Sequence, residues 1–251
     1  MGEDRSWRQA AQPRLLTGGA DAEAAADGHP RRALYGRSRG KALRTHQKGL
    51  VETLLPQLSI PEGPIGDPKA LFPFAPRDIW LEIGFGGGEH LLAQAKAHRD
   101  IGIIGCEPFL NGLAKALAGV EHDALDNIRL RGGDAGALIA SLPAASLSRV
   151  FILYPDPWPK RRHNKRRIIS EAMIAALARV ARPGAELRFA TDIDDYAGWT
   201  LRRFLVSPFF AWTARAADDW RLPWPDWPGT RYEAKARREG RRPVYLTFAR
   251  V

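Results

Sequence analysis

The chain has 251 residues, 45% of them hydrophobic, and no run approaches the ~20 apolar residues that a membrane span needs. That is enough for one packed domain with a tail, and too apolar for a wholly disordered chain. A formal charge of +10 and a pI near 10.2 point to a polyanionic partner, nucleic acid first, or to a generally basic surface, and the placement of the charges has to decide.

Residues 1–32 are rich in Ala, Gly and Arg without apolar periodicity and read as a disordered tail. They hold no apolar h-region, so a cytoplasmic protein is expected. Residues 33–77 read as a basic arm, a short helix and a Pro-rich linker. The cations Arg31, Arg32, Arg37, Arg39, Lys41, Arg44 and Lys48 come without an intervening acid, and Leu50, Val51, Leu54 and Leu55 have helical spacing. Pro61, Pro64, Pro68, Pro73 and Pro76 then exclude a regular helix.

Residues 78–251 read as one α/β domain. Strands are predicted at Ile79–Ile83, Ile101–Cys106, Ile128–Arg131, Arg149–Tyr154 and Glu186–Ala190. Helices are predicted at Glu89–His98, Pro108–Val120 and Arg166–Ala181, the last ended by Pro183-Gly184. Such alternation predicts a doubly wound, mostly parallel sheet with helices on both faces. The C-terminal part differs, with Trp212, Trp220, Trp224 and Trp227 among prolines and a last strand at Val244–Phe248. The lone Cys106 reads as a buried apolar residue and excludes an internal disulfide. The six histidines show no metal-ligand spacing, so no metal is expected.

The segment Leu81-Glu82-Ile83-Gly84-Phe85-Gly86-Gly87-Gly88 joins the first strand to the first helix, where such sheets bind ligands. Counting from Gly84, the third glycine of a dinucleotide fingerprint is replaced by Glu89, whose carboxylate in the helix's first turn would repel a pyrophosphate. No phosphate-binding G-x-x-x-x-G-K-[ST] loop occurs. The pattern Gly84, Gly86, Gly88 behind Glu82 suits a cationic ligand without phosphate, a description met by S-adenosylmethionine. Glu107 after the second strand is placed to accept from two ribose hydroxyls, and Asp134 after the third from an adenine amino group. As a structural turn with solvated acids, the same residues would bind nothing; acids after both following strands favour the cofactor.

The fourth strand runs into Tyr154-Pro155-Asp156-Pro157-Trp158-Pro159-Lys160. The prolines stiffen the backbone around one carboxylate and one indole. The indole can stack a purine, and Asp156 can accept from a guanine edge or offset positive charge on the ring. Arg161, Arg162, His163, Asn164, Lys165, Arg166 and Arg167 follow. Cations opening a helix oppose its dipole, and phosphates would relieve this; beside a candidate site the run is expected to bind RNA phosphates rather than only water.

With these motifs, Ala190-Thr191-Asp192 and Gly229-Thr230-Arg231-Tyr232-Glu233, the chain resembles the bacterial tRNA (guanine-N7-)-methyltransferase family. The resemblance runs from about Leu34 to Val251 and is carried chiefly by the Pro155–Lys160 loop with the basic run behind it. It implies a Rossmann-like fold, S-adenosylmethionine as cofactor, and methylation of a guanine at position 46 in the tRNA variable loop. It implies that Glu82, Gly84, Gly86, Glu107, Asp134 and Asp156 bind or border the cofactor, with Asp156 catalytic. Lys160, Asp192, Thr230, Arg231, Tyr232 and Glu233 would contact substrate, and Arg161, Arg162, Lys165 and Arg166 tRNA phosphates. Arg231-Tyr232 stands where the family usually has Lys-Phe, which keeps charge and aromaticity. Monomers and homodimers both occur in the family. The alternatives are a methyltransferase acting on another nucleophile, a nicotinamide-dependent oxidoreductase, and a non-catalytic RNA-binding module.

Overall fold

The computed structural model describes residues 40–251. The expected tail and the arm residues Arg31, Arg32, Arg37 and Arg39 lie outside them. A short helix α1 (Thr45–Thr53) and a single turn α2 (Leu55–Leu58) open the described chain. The Pro-rich stretch that follows has one 3-10 turn at Pro68–Leu71, and it sends Ile65 and Phe72 into the core.

Five parallel strands then alternate with helices. They are β1 (Asp78–Ile83), α3 (Glu89–Ala97), β2 (Ile101–Glu107), α4 (Leu110–His122), β3 (Ile128–Gly132), α5 (Ala135–Ser141), β4 (Leu147–Leu153), α6 (Glu171–Val180) and β5 (Ala181–Thr191). After α7 (Asp194–Leu205) come β6 (Phe210–Trp212), α8 (Asp218–Arg221), α9 (Arg231–Arg238) and β7 (Val244–Arg250). The sheet order is β3-β2-β1-β4-β5-β7-β6, with β7 antiparallel to both neighbours. Every residue of β2 is buried, as expected of a strand covered on both faces. The period of two on β1 separates the two cores: Ile79, Leu81 and Ile83 pack with Leu138, Ile174 and Phe204, whereas Trp80 packs with Leu91 and Leu117. Over β4, β5 and β7 the second core holds Tyr245 of β7 and Trp224 of the strap between α8 and α9, and α9 meets Tyr245 through Glu233. Asp226 anchors that strap by ion pairs to Arg188 (2.6 Å) and Arg149 (3.6 Å). Among the described residues no helix is long and apolar enough to cross a membrane.

One predicted helix divides. In place of a helix over Arg166–Ala181, a 3-10 helix spans Arg161–Arg166 and α6 starts only at Glu171. Arg167 leaves the helical path with ψ 136°, and Ser170 caps α6 by accepting from the Met173 N–H at 3.2 Å. The basic run therefore does not oppose the dipole of α6, which begins with Glu171 in its first turn. The last parallel strand starts earlier than its apolar run, because Ala181 pairs with Leu147 before the Pro183-Gly184 irregularity.

Candidate active site

Since β1 to β5 are parallel, their carboxyl ends form one edge. Along it stand Asp134 after β3, Glu107 ending β2, Gly84 after β1, Asp156 after β4 and Asp192 after β5. The strand order reverses across β1, so the glycine loop sits at the switch point where such sheets open a crevice.

The loop is shaped for a ligand. Gly84 and Gly86 have φ of +73° and +56°, in the left-handed region that L side chains rarely enter. No atom lies within 4 Å of where a Cβ on Gly84 would stand, so the space above it is open. Glu107 braces the loop from below: its Oε2 accepts from the Gly86 N–H (2.6 Å) and its Oε1 from the Phe109 N–H (2.9 Å). Burial pushes its pKa up, and the charge of Asp156 adds to this against those two hydrogen bonds. Asp134 caps α5 by accepting from the Gly136 N–H at 3.1 Å. The Cys106 thiol is buried beside these acids, its pKa pushed up to about 12, first by desolvation and then by Asp134 and Glu107. Glu82 is buried too, with His90 Nδ1 at 2.7 Å from its Oε2.

Glu89 does not face the loop as a bare carboxylate. Lys115 Nζ lies 2.6 Å from it and Arg231 Nε 3.7 Å. These cations and their hydrogen bonds outweigh desolvation and hold its pKa down. Glu89 therefore repels a phosphate less than its place in the sequence implies, and the case against a dinucleotide rests on the missing third glycine.

The Pro-framed loop is bent at both ends, not simply extended: Tyr154 has φ +49° and Trp158 φ +44°, each before a proline. Such residues cost about 1–3 kcal/mol each and persist only where their surroundings hold them. Tyr154 is held by its N–H to Ala190 O at 2.8 Å. Trp158 carries the Arg166 guanidinium 4.9 Å from its ring centre and the His163 ring edge-on at 5.9 Å, so the indole is not bare. Between these bends no protein donor or cation pairs with Asp156 among the described residues. Asp156 is exposed to solvent on one side, and partial desolvation by the protein around it pushes its pKa up. Lys160, Arg161, Arg162 and Lys165 are exposed, and none pairs with a carboxylate among the described residues. Together with desolvation, Arg166, Arg162 and Lys160 hold the His163 imidazole below its usual pKa.

Three kinds of similarity meet this geometry. A family model described as "Putative methyltransferase" matches residues 76–246. A tRNA (guanine-N(7)-)-methyltransferase of Nitrobacter hamburgensis is 53% identical over 220 residues, 87% of this chain and 86% of that protein. One of the same name from Chelativorans sp. is 50% identical over 234 residues, 90% of this chain and the whole of that protein. The chain belongs to the tRNA (guanine-N(7)-)-methyltransferase family. Among solved structures, TrmN from Thermus thermophilus superposes with a TM-score of 0.50 at 14% identity, covering 70% of this chain and 45% of that longer one, a likeness of fold alone.

The methyltransferase's C-terminal motif opens a helix, and its Thr-x-x-Glu spacing carries the signal. Thr230 is the N-cap of α9: its Oγ1 accepts from the Glu233 N–H at 3.1 Å. The Glu233 carboxylate is buried, taking hydrogen bonds from the Trp227 indole, the Tyr245 hydroxyl (2.7 Å) and Arg237 (2.6 Å). Burial alone would raise its pKa, and these donors bring it below the usual value. Glu233 in turn helps to push Tyr245 up to about 12, after desolvation. Thr230 and Glu233 thus hold α9, while Arg231 and Tyr232 lie against Gly86, where an added Cβ would come within 3.3 Å of both. The Tyr232 ring is near-parallel to Tyr154 (centroids 6.5 Å, 17°). Asp192 is engaged by Arg241 Nε at 2.6 Å.

Arg167 parts from the run it belongs to. It is fully buried, donates from Nε to Pro157 O at 2.8 Å, pairs with Asp195 at the start of α7, and lies 4.9 Å from the rings of both Tyr196 and Trp199. It ties the Asp156 loop to α7, a role that nothing in a row of cations signals.

Proposed function

We propose that the chain transfers the methyl group of S-adenosylmethionine to N7 of a guanine in the variable loop of tRNA. The reading is carried by one juxtaposition: Asp156, a carboxylate without a protein partner among the described residues, stands at the sheet edge between an open glycine loop and exposed cations that pair with no carboxylate among the described residues. The names of relatives about half identical to this chain support it.

The residues at the edge fit such a cofactor. Gly84 and Gly86 offer backbone, Glu107 would accept from ribose hydroxyls, Asp134 from the adenine amino group, and Glu82 would take a cationic tail. When bound, the cofactor supplies an electrophilic methyl on a sulfonium. N7 of guanine carries an in-plane lone pair and no proton, so the protein needs no general base and chiefly aligns the two groups. As the purine turns cationic, Asp156, partly desolvated, opposes that charge. Lys160, Arg161, Arg162 and Lys165 take the phosphates around the target. Arg166 does so from its place on Trp158. In the C-terminal motif, Arg231 and Tyr232 reach the substrate, and Thr230, Glu233 and Asp192 position what does.

The test is methyl transfer from labelled S-adenosylmethionine to unmodified tRNA, followed by reduction and aniline cleavage, which cuts at N7-methylguanine. A single cut in the variable loop is expected. Label without that cut would move the nucleophile to another atom, and no label with folded protein would overturn the reading.

A further inference from the structure

Behind the glycine loop lies a histidine that the reaction described above does not use. His90, in the first turn of α3, approaches Glu82 with Nδ1 at 2.7 Å from Oε2, and the two side chains are only 2% and 3% exposed. The imidazole is boxed by Phe151 of β4, edge-on at 4.6 Å, and by Trp227, tilted at 5.2 Å. Its Nε2 is buried without a hydrogen-bond partner. Among the described residues, no donor reaches the other oxygen of Glu82, Oε1. A nearly buried carboxylate with one oxygen fixed and the other open is incomplete by itself, since burying ionised oxygen without donors is costly.

The hydrogen bond also spans the loop. Glu82 is two residues before Gly84, at the end of β1, and His90 is two residues after Gly88, at the start of α3. The imidazole therefore fixes the carboxylate relative to both ends of the turn, and the rings packed against it leave it little freedom to follow if Glu82 rotates.

We propose that His90 is a positioning residue for the amino-acid tail of the cofactor. Its Nδ1–H holds Oε2 of Glu82 so that Oε1 stays open for the ligand's ammonium. This rests on the cofactor assignment above and adds to it a residue that touches neither reactant. Because it acts on the tail, His90 governs affinity for ligands that carry an ammonium and is indifferent to those that carry only the adenosyl part.

Calorimetric titration separates these. S-adenosylhomocysteine carries the adenosyl part and the tail; 5′-methylthioadenosine carries the adenosyl part alone. His90→Leu is expected to weaken S-adenosylhomocysteine about 10–100-fold, the range for a lost hydrogen bond to a charged group. The same variant should leave methylthioadenosine within about 2-fold, since its binding does not pass through Glu82. His90→Asn places an amide N–H where the imidazole Nδ1–H stands, one bond from Cγ, and should recover most of the loss; His90→Gln, whose amide sits one bond further out, where Nε2 stands, should not, and replaces His90→Leu in the comparison if that variant fails to fold. Equal losses for both ligands would reduce His90 to a pocket-packing residue and overturn the proposal, as would an unchanged affinity for S-adenosylhomocysteine. Wild-type protein that binds neither ligand would instead overturn the cofactor assignment itself.

Discussion

Replacing Arg167 by Met tests whether the Asp156 loop is held from inside the fold. The substitution keeps an unbranched chain of similar reach and removes the guanidinium. Pro157 O then loses its donor, at about 1–3 kcal/mol for a buried acceptor left unpaired. The stacks on Tyr196 and Trp199 are lost as well, at about 0.5–2 kcal/mol each. The pair with Asp195 adds at most about 1 kcal/mol, because that carboxylate is 65% exposed and well screened. Relief of the buried charge offsets part of this, leaving a net loss of about 2–4 kcal/mol. For a domain of this size that lowers the melting temperature by about 5–15 °C. A released loop misplaces Asp156, and errors of about 1 Å in such groups cost about 100-fold in rate. Thermal unfolding, single-turnover methyl transfer and tRNA binding should be measured on the same preparation. Lower stability and a slower methyl-transfer step with near-normal tRNA affinity are expected. Wild-type melting and turnover with weakened tRNA binding would refute the anchor and return Arg167 to the phosphate-binding run.

Gly112→Ala tests the loop from behind, since a Cβ there would stand 2.3 Å from Gly86 O; S-adenosylhomocysteine affinity measured by calorimetry should fall at least about 10-fold while the protein stays folded. Burial and Asp156 raise the pKa of Glu107, so the folded state binds its proton more readily than the unfolded state does. Its contribution to stability is therefore present below the ordinary glutamate value of about 4.3 and is lost as pH rises through the raised folded value. Cofactor affinity runs the opposite way: it should weaken on acidification above the usual carboxylate range as Glu107 protonates, and a titration of Glu107→Gln should lose that dependence. Neutralising Arg161, Arg162 and Lys165 together should weaken tRNA binding and flatten its dependence on salt, by about 0.7–0.9 in log–log slope for each phosphate no longer neutralised. Unchanged slopes would make the run a solvated surface.

The parallel sheet was legible because its strands are written as uninterrupted apolar runs, and a run such as Ile101–Cys106 has no other use in a chain of this composition. The strand-end acids were legible for a related reason: a charged residue directly after such a run has to emerge at the sheet edge. Helix α9 was not, because its sequence, Arg231 to Arg238, holds two buried residues, Glu233 and Ala236, and gives almost no apolar period. Its mark is local chemistry, the Thr230 N-cap, which needs no core to be read. The buried role of Arg167 had no local mark, since the pocket that receives it is built by α7, some 30 residues further on.

The two bends of the Asp156 loop show why that last kind of information escapes the sequence. Tyr154 and Trp158 are bulky residues before prolines, and neither favours a positive φ. Local preference alone would relax both and swing Asp156 away from Glu107. The conformation survives because its holders come from separate elements: Ala190 on β5 takes the Tyr154 N–H, Arg167 takes Pro157 O, and Arg166 covers Trp158. Two of these are neighbours in sequence, Arg167 buried and Arg166 half-buried. A single stretch of cations thus fixes the loop with Arg166 and Arg167 and exposes charge at Lys160, Arg161, Arg162 and Lys165, and the backbone leaves the 3-10 turn at Arg167, where the buried cation begins.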